Sequence, residues 1–298
     1  MITTHLMGGL GNQLFQIFCA WAMALRLQTE FVVLTTYQTN FNQGRSDRPT
    51  YWDTILSGVK NNVRFIRDIP NMIVEKEPTF EFRPIKLTTD VINGRGSLMI
   101  NGYYQSEKYF RDKFMEIYSM LDIQKKRQDV LKKMVHMCNI TETDEPMKNS
   151  ISMHFRLGDY KGLQHYHPIM TFEYYNRSLR EILNSFPEGS LQTPYTVYYF
   201  CEDGDVDTVM GCIQRLSQEF GDRLVFVRGG QGMDDWEQML LMSCCNHHII
   251  GNSSFSWWGA YFNTSPTKVV CYPSVWFGAA AGHNTRDLCP DEWRRVEV

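Results

Sequence analysis

The chain has 298 residues, 43% hydrophobic and 21% charged, the balance of a folded globular protein and not of a disordered or collagen-like one. Lysine plus arginine number 30 and aspartate plus glutamate 33, a net charge of −3, so no charge excess points at nucleic acid or an anionic membrane. No segment approaches ~20 uncharged apolar residues, which excludes a membrane-spanning helix.

At ~150 residues per domain the length predicts about two domains. The first residues show no basic stretch followed by a long apolar one, so no signal peptide is expected. A cytoplasmic protein is the expectation. None of the 8 cysteines forms a CxxC pair, and reduced, mostly buried thiols are expected.

In chain order, residues 2–7 read as a short strand followed by a glycine turn. Leu14, Phe15, Phe18, Trp21, Ala22 and Leu25 fall at helical spacing, predicting a helix over 12–27. Residues 31–35 form a buried strand in type, and 37–53 a polar, turn-rich loop. A strand is expected over 97–102. Ser106 is a plausible N-cap for a helix that lines up Phe110, Phe114, Ile117 and Leu121, and a second helix is expected over 124–137. Residues 139–150 are polar, contain Pro146 and read as a linker. Beyond it, strands are expected at 150–155, 195–201, 224–227, 248–250 and 268–271, and helices at 172–186, 206–220, 234–245 and 255–263. Strands alternating with helices predict α/β domains with parallel sheets. Two Rossmann-like domains, 1–148 and 149–298, would face a cleft, with ligands at the carboxyl ends of the strands.

Three segments carry chemistry. Gly8-Gly9-Leu10-Gly11-Asn12-Gln13 joins the first strand to the first helix. Backbone N–H groups at such a helix start suit a phosphate or diphosphate. Asn12 and Gln13 add side-chain donors. A ligand-free tight turn is the plain alternative. A dinucleotide fingerprint fits Gly9 and Gly11, but Leu14 stands where its third glycine belongs and Glu30 precedes the second strand instead of following it. The second segment is His154-Phe155-Arg156-Leu157-Gly158-Asp159-Tyr160. His154 and Arg156 share one face of a strand. Arg156 at a strand end suits a diphosphate, because its planar fork donates in pairs. Asp159 could orient Arg156, hold a loop or act as a base; a structural ion pair and a satisfied core histidine are the plain alternatives. The third segment is Gly251-Asn252-Ser253-Ser254-Phe255-Ser256-Trp257-Trp258. Helix capping explains one serine; three serines and an asparagine exceed that need and can face phosphate oxygens. Trp257 and Trp258 read as core. Glu202 and Asp203 follow a strand where a nucleotide base or ribose would lie, or else sit in a solvated loop. His165 and His167 lie in a loop that could contact substrate. There is no HExxH, no P-loop, no nucleophile elbow, and no D-x-D of the type that holds Mg²⁺ on a sugar nucleotide.

Together the segments resemble the inverting α-1,2-fucosyltransferase family. GGLGNQLFQ from Gly8, then His154-x-Arg156-x-Gly158-Asp159-Tyr160, then residues 238–259 match its blocks in order, and Pro290 to Trp293 is similar to its tryptophan-containing end. One departure is Leu157, where the family often has a second arginine. The resemblance implies a GT-B type fold, GDP-fucose as donor, no metal and no cofactor. It implies transfer of fucose, with inversion, to the 2-hydroxyl of a terminal galactose on a glycan acceptor. It further implies that 1–148 is the acceptor side and 149–298 the donor side. Arg156, Asp159 and His154 would be catalytic, and Gly9, Gly11, Asn12, Gln13, Arg156, Glu202, Asp203, Asn252, Ser253, Ser254 and Phe255 would bind the donor. A fucosyltransferase of α-1,3 or α-1,6 linkage, a transferase using another GDP-sugar, and a non-catalytic GDP- or glycan-binding protein remain the alternatives.

Overall fold

The computed structural model describes residues 1–35, 49–137, 147–186 and 193–298. Most of the expected loop at 37–53 and of the expected linker at 139–150 lies outside the described residues. The chain forms two compact units. The first comprises Met1–Lys126 and His283–Pro290, the second Arg127–Gly282 and Asp291–Val298. The sequence places the division at 148/149 instead.

In the first unit, β1 (Ile2–Thr4), β5 (Ser97–Asn101) and β4 (Met72–Lys76) form a parallel sheet in the order β1-β5-β4. β2 (Val32–Leu34) pairs in parallel with β3 (Arg64–Ile66), and a parallel bridge between Ile2 and Phe31 joins β1 to this pair. Helix α1 (Leu10–Arg26) is apolar nearly all round and correspondingly buried, from Leu10 and Gly11 through Ala24 with only Asn12 half-exposed. Phe18 lies edge-on to Phe110 (5.5 Å between ring centres) and beside Phe114 (5.9 Å). The helix expected from Ser106 is instead two 3₁₀ turns followed by α4 (Phe114–Met120); Phe110, with φ −141°, interrupts the helical run. α2 (Val59–Asn62) and α3 (Thr89–Ile92) are single turns. Residues 283–290 belong to this unit because Asp287 accepts from Phe82 N (3.1 Å) and Lys108 Nζ (2.5 Å), while His283 stacks on Phe80.

The second unit receives most of α5 (Ile123–Met137). Lys133 Nζ lies 2.6–2.7 Å from both oxygens of Glu237, which closes the capping box of α8 (Asp235–Cys244). The six-stranded sheet comprises β6 (Ser150–His154), β7 (Tyr195–Phe200), β8 (Leu224–Arg228), β9 (His247–Ile249), β10 (Val270–Pro273) and β11 (Arg294–Val296). All pairings are parallel, in the order β11-β10-β9-β6-β7-β8. This is the doubly wound order: the chain runs outward one way from β6 through β7 to β8, then returns and runs the other way from β9 to β11. Between them lie α6 (Phe172–Leu183), α7 (Val206–Phe220), α8 and α9 (Ser254–Tyr261). Ile151, Met153, Val197, Leu179, Ile213 and Ile249 pack in one core. Trp257 and Trp258 have no exposure at all, as their core reading requires; Trp257 stacks on Tyr261 (4.5 Å) and touches Trp293 (5.4 Å). Among the described residues no helix is long and apolar enough to cross a membrane.

Buried histidines are held neutral in this unit. Asn263 donates through Nδ2 to Cys245 O (2.8 Å) and accepts Ser265 N (2.9 Å), which fixes its amide. Nδ2 also lies 2.9 Å from His248 Nε2, so that nitrogen accepts, and Nδ1–H donates to Ser152 Oγ (2.8 Å). Burial, reinforced by Lys268, His247 and Arg127, holds His248 well below the usual histidine range. His247 accepts Val269 N through Nδ1 (3.1 Å), and burial, with Arg294 nearby, lowers it to about 4. A histidine depressed in the folded state binds its proton more readily when unfolded, so acid favours unfolding between 6.5 and about 4. The melting temperature should therefore fall as pH drops through that window. His247→Asn, whose Oδ1 can accept the same bond without titrating, should flatten part of the fall, as followed by circular dichroism melting.

Candidate active site

The carboxyl ends of β6 and β9 lie side by side where the winding of the sheet reverses, and this is where open α/β sheets hold ligands. β6 delivers His154 and Arg156, and β9 delivers Gly251 to Ser254. Helix α6 fixes the three strand ends around them. Tyr175 donates to His154 O (3.2 Å), and Tyr174 donates to Ile250 O (2.5 Å) and Cys271 O (3.2 Å).

Arg156 forms ion pairs with Asp159 and Glu202, and its guanidinium lies 5.0 Å from the centre of the Tyr160 ring. Burial works to lower its pKa, but Asp159 and Glu202 outweigh burial and the net shift is upward, so the charge is permanent. The loop between them is built tightly. Gly158 has φ +35°, and a Cβ there would sit 2.6 Å from Glu202 Oε2. Buried Asp205 accepts Gly158 N (2.8 Å) and pairs with Lys161 (2.6 Å). Tyr160 donates to Asn252 O (3.2 Å), tying this loop to the start of α9.

His154 is buried, with Nδ1 lacking a partner among the described residues and its ring 5.5 Å from that of Phe255. Burial, with Arg156 adding to it, lowers His154 to about 3, so it stays neutral near pH 7 and is a weak proton acceptor there. Ser253 caps α9 by accepting Phe255 N (3.3 Å). Ser256 donates to Ser253 O (3.3 Å), and Ser254 is half-buried on the first turn. Asn252 spends both amide hydrogens on Pro168 O (2.9 Å) and Trp276 O (3.0 Å), so its donors brace neighbouring loops. Glu202 is bound to Arg156, and Asp203 pairs with Arg228.

The glycine turn belongs to the other unit. Gly8 has φ +75°, and Gly9 is the N-cap of α1 with no side-chain cap and no acid in the first turn. The amides near it serve the turn. Gln13 donates to Gly8 O (3.0 Å) and Pro49 O (2.9 Å), Gln16 accepts Met7 N (2.8 Å), and Asn12 accepts Gln105 Nε2 (2.7 Å). Of the expected residues, the structure gathers His154, Arg156, Asp159, Glu202 and Asn252 to Phe255 around adjoining strand ends, with Asp203 beside Glu202. Gly9, Gly11, Asn12 and Gln13 form a turn in the first unit. Asp205, Tyr160, Tyr174 and Tyr175 are further residues that shape the site. Asp205 is signalled only by the acidic run from Glu202, and the tyrosines of α6 by nothing local. Among the described residues no cluster of histidine, cysteine and carboxylates could hold a metal ion.

The signature of glycosyl transferase family 11 matches residues 92–293, more than half of the chain and including the second and third segments. The chain belongs to glycosyl transferase family 11. This agrees with the resemblance drawn from the three segments and makes the chain a glycosyltransferase. It is similar to an α-1,2-colitosyltransferase of Escherichia coli, at 29% identity over 100% of this chain and 99% of that protein. It is also similar to the O-antigen biosynthesis glycosyltransferase WbnK of Escherichia coli, at 25% identity over 97% and 98%. Among solved structures it is similar to the ADP-heptose lps heptosyltransferase II of E. coli, with a TM-score of 0.49 at 9% identity, covering 99% and 90% of the two chains.

Gly158→Ala in this transferase should cost ~1–3 kcal/mol, since alanine there strains a left-handed backbone and meets Glu202. Urea unfolding checks this, with Gly162→Ala, where a Cβ meets nothing, as the control.

Proposed function

We propose that this family 11 transferase is of GT-B type and moves L-fucose from GDP-fucose to the 2-hydroxyl of a terminal galactose, with inversion and without a metal. The observation that carries the donor reading is Arg156, a permanent cation at the switch point of a doubly wound sheet. GDP departs as a diphosphate, and its developing charge needs preorganised donors. Arg156 offers a planar pair of N–H groups, and the first turn of α9 offers backbone N–H groups and Ser254. The diphosphate competes with Glu202 and Asp159 for the guanidinium. Asp159, once released, is free to accept the proton of the acceptor hydroxyl, whereas buried His154 is a weak acceptor. An oxocarbenium-like transition state asks little of that base.

A second reading of the donor is favoured by one observation. A relative matched over the whole of this chain is named an α-1,2-colitosyltransferase. GDP-colitose is therefore the competing donor, with the same diphosphate chemistry. The alternatives of another linkage and of a non-catalytic GDP- or glycan-binding protein fall to the same assay.

The test is transfer from GDP-fucose, GDP-colitose and GDP-mannose to galactosides in EDTA, with the product linkage read by NMR. α-1,2-linked fucose on galactose is expected. Preference for colitose would correct the donor, another linkage would correct the regiochemistry, and no transfer from any donor would overturn the proposal. Arg156→Ala should lower kcat by ~100- to 1,000-fold while circular dichroism stays native.

A further inference from the structure

Arg156 has two carboxylate partners that a diphosphate would replace, and a third neighbour that it would not: the face of Tyr160, 5.0 Å from the guanidinium. Tyr160 is itself held by rings. His167 stacks on it nearly in parallel, with 4.6 Å between ring centres and 20° between planes. Phe277 meets His167 at a tilt of 58°, 5.6 Å away. A series of ring contacts therefore runs from the guanidinium through Tyr160 and His167 to Phe277.

The rings come from two loops far apart in sequence, one after β6 and one after β10. Asn252 joins them. Its carbonyl accepts the Tyr160 hydroxyl (3.2 Å). Its Nδ2 donates to Pro168 O (2.9 Å), next to His167, and to Trp276 O (3.0 Å), next to Phe277. Gly278 N donates to Tyr166 O (2.9 Å) and Ala280 N to His165 O (3.2 Å), which closes a seam between the loops. The approach is tight: a Cβ on Gly278 would lie 2.2 Å from His165 O. The two histidines that the sequence sets near substrate thus differ in use. His165 gives the seam its backbone, and His167 gives the series its ring.

The flat face of a tyrosine attracts a guanidinium without occupying its N–H edges, so the plane of the fork is kept while those edges stay available to a diphosphate. Tyr160 serves this end only if its own plane is fixed. Its hydroxyl anchors one end of the ring, and the stacked contact with His167 sets the tilt.

We propose that His167, backed by Phe277, is a positioning residue for the diphosphate site: it holds the Tyr160 ring in the plane that keeps Arg156 aimed when Asp159 and Glu202 give way. Asn252 is the joint that fixes both loops. This rests on the reading of that site as one for a GDP-sugar.

The test is calorimetric titration of GDP into the full chain and its His167→Phe, His167→Leu and Tyr160→Leu variants, with circular dichroism checking each fold. Phenylalanine keeps a flat face, and leucine fills the space without one. His167→Leu should weaken GDP binding about threefold to tenfold, and His167→Phe should stay within about twofold of wild type. Because His167 acts through Tyr160, adding His167→Leu to Tyr160→Leu should weaken binding no further. Equal losses in the two His167 variants, no loss in either, or a loss that adds to that of Tyr160→Leu overturns the assignment. Wild type that binds no GDP would remove the donor reading, and the assignment falls with it. GDP binding in the expected pattern without transfer from any GDP-sugar would keep the assignment and remove the proposed reaction.

Discussion

A guanidinium with a permanent charge, placed at a strand end and held between two carboxylates, is the constraint around which the second unit is organised. Arg156 cannot discharge, so its surroundings must supply opposite charge whenever no other anion does. Asp159 and Glu202 supply it. Holding Glu202 that close requires a residue without a side chain at 158, and holding that glycine in place requires the buried carboxylate of Asp205. Tyr160 then links the same loop to the start of α9, and Tyr175 secures the strand end from beneath. The sheet order explains the location. β6 and β9 are neighbours whose following connections leave in opposite directions, which opens the space that the loops occupy.

The second unit was largely legible in the sequence because its signals are local. β6 is buried at every position, and α6 and α7 place their apolar residues on one face, so both periods can be read from neighbouring residues. The first unit hides more. β3 and β4 are half-exposed along their length, with no continuous apolar run to mark them, and both escape the sequence reading. β11 is short and exposed at two of three positions, and it too is missed. Ser106 does act as a cap, but of a 3₁₀ turn, because the chain bends at Phe110 before α4 begins.

The candidate site divides along the same line. His154, Arg156, Asp159 and the serines of α9 were found because each segment is contiguous. Their partners come from elsewhere in the chain. That Glu202 belongs to Arg156 is a fact of two strand ends brought together, invisible in either segment alone. Amides told the opposite story. Gln13 and Asn252 look like ligand donors in sequence, yet both spend their hydrogens on backbone carbonyls, Gln13 within the glycine turn and Asn252 on the loops beside α9. His154 has the right position for a base but, buried beside a cation, the wrong basicity.

The central claim is that Arg156 exchanges its carboxylate partners for the diphosphate of the donor. Calorimetric titration of GDP into wild type, Arg156→Ala and Glu202→Gln tests it most directly. The account predicts opposite signs: the alanine variant loses GDP binding, while the glutamine variant, relieved of a competing charge, binds GDP up to about fivefold more tightly. GDP affinity that is unchanged in Arg156→Ala, or weakened in Glu202→Gln as much as in the alanine variant, would contradict it.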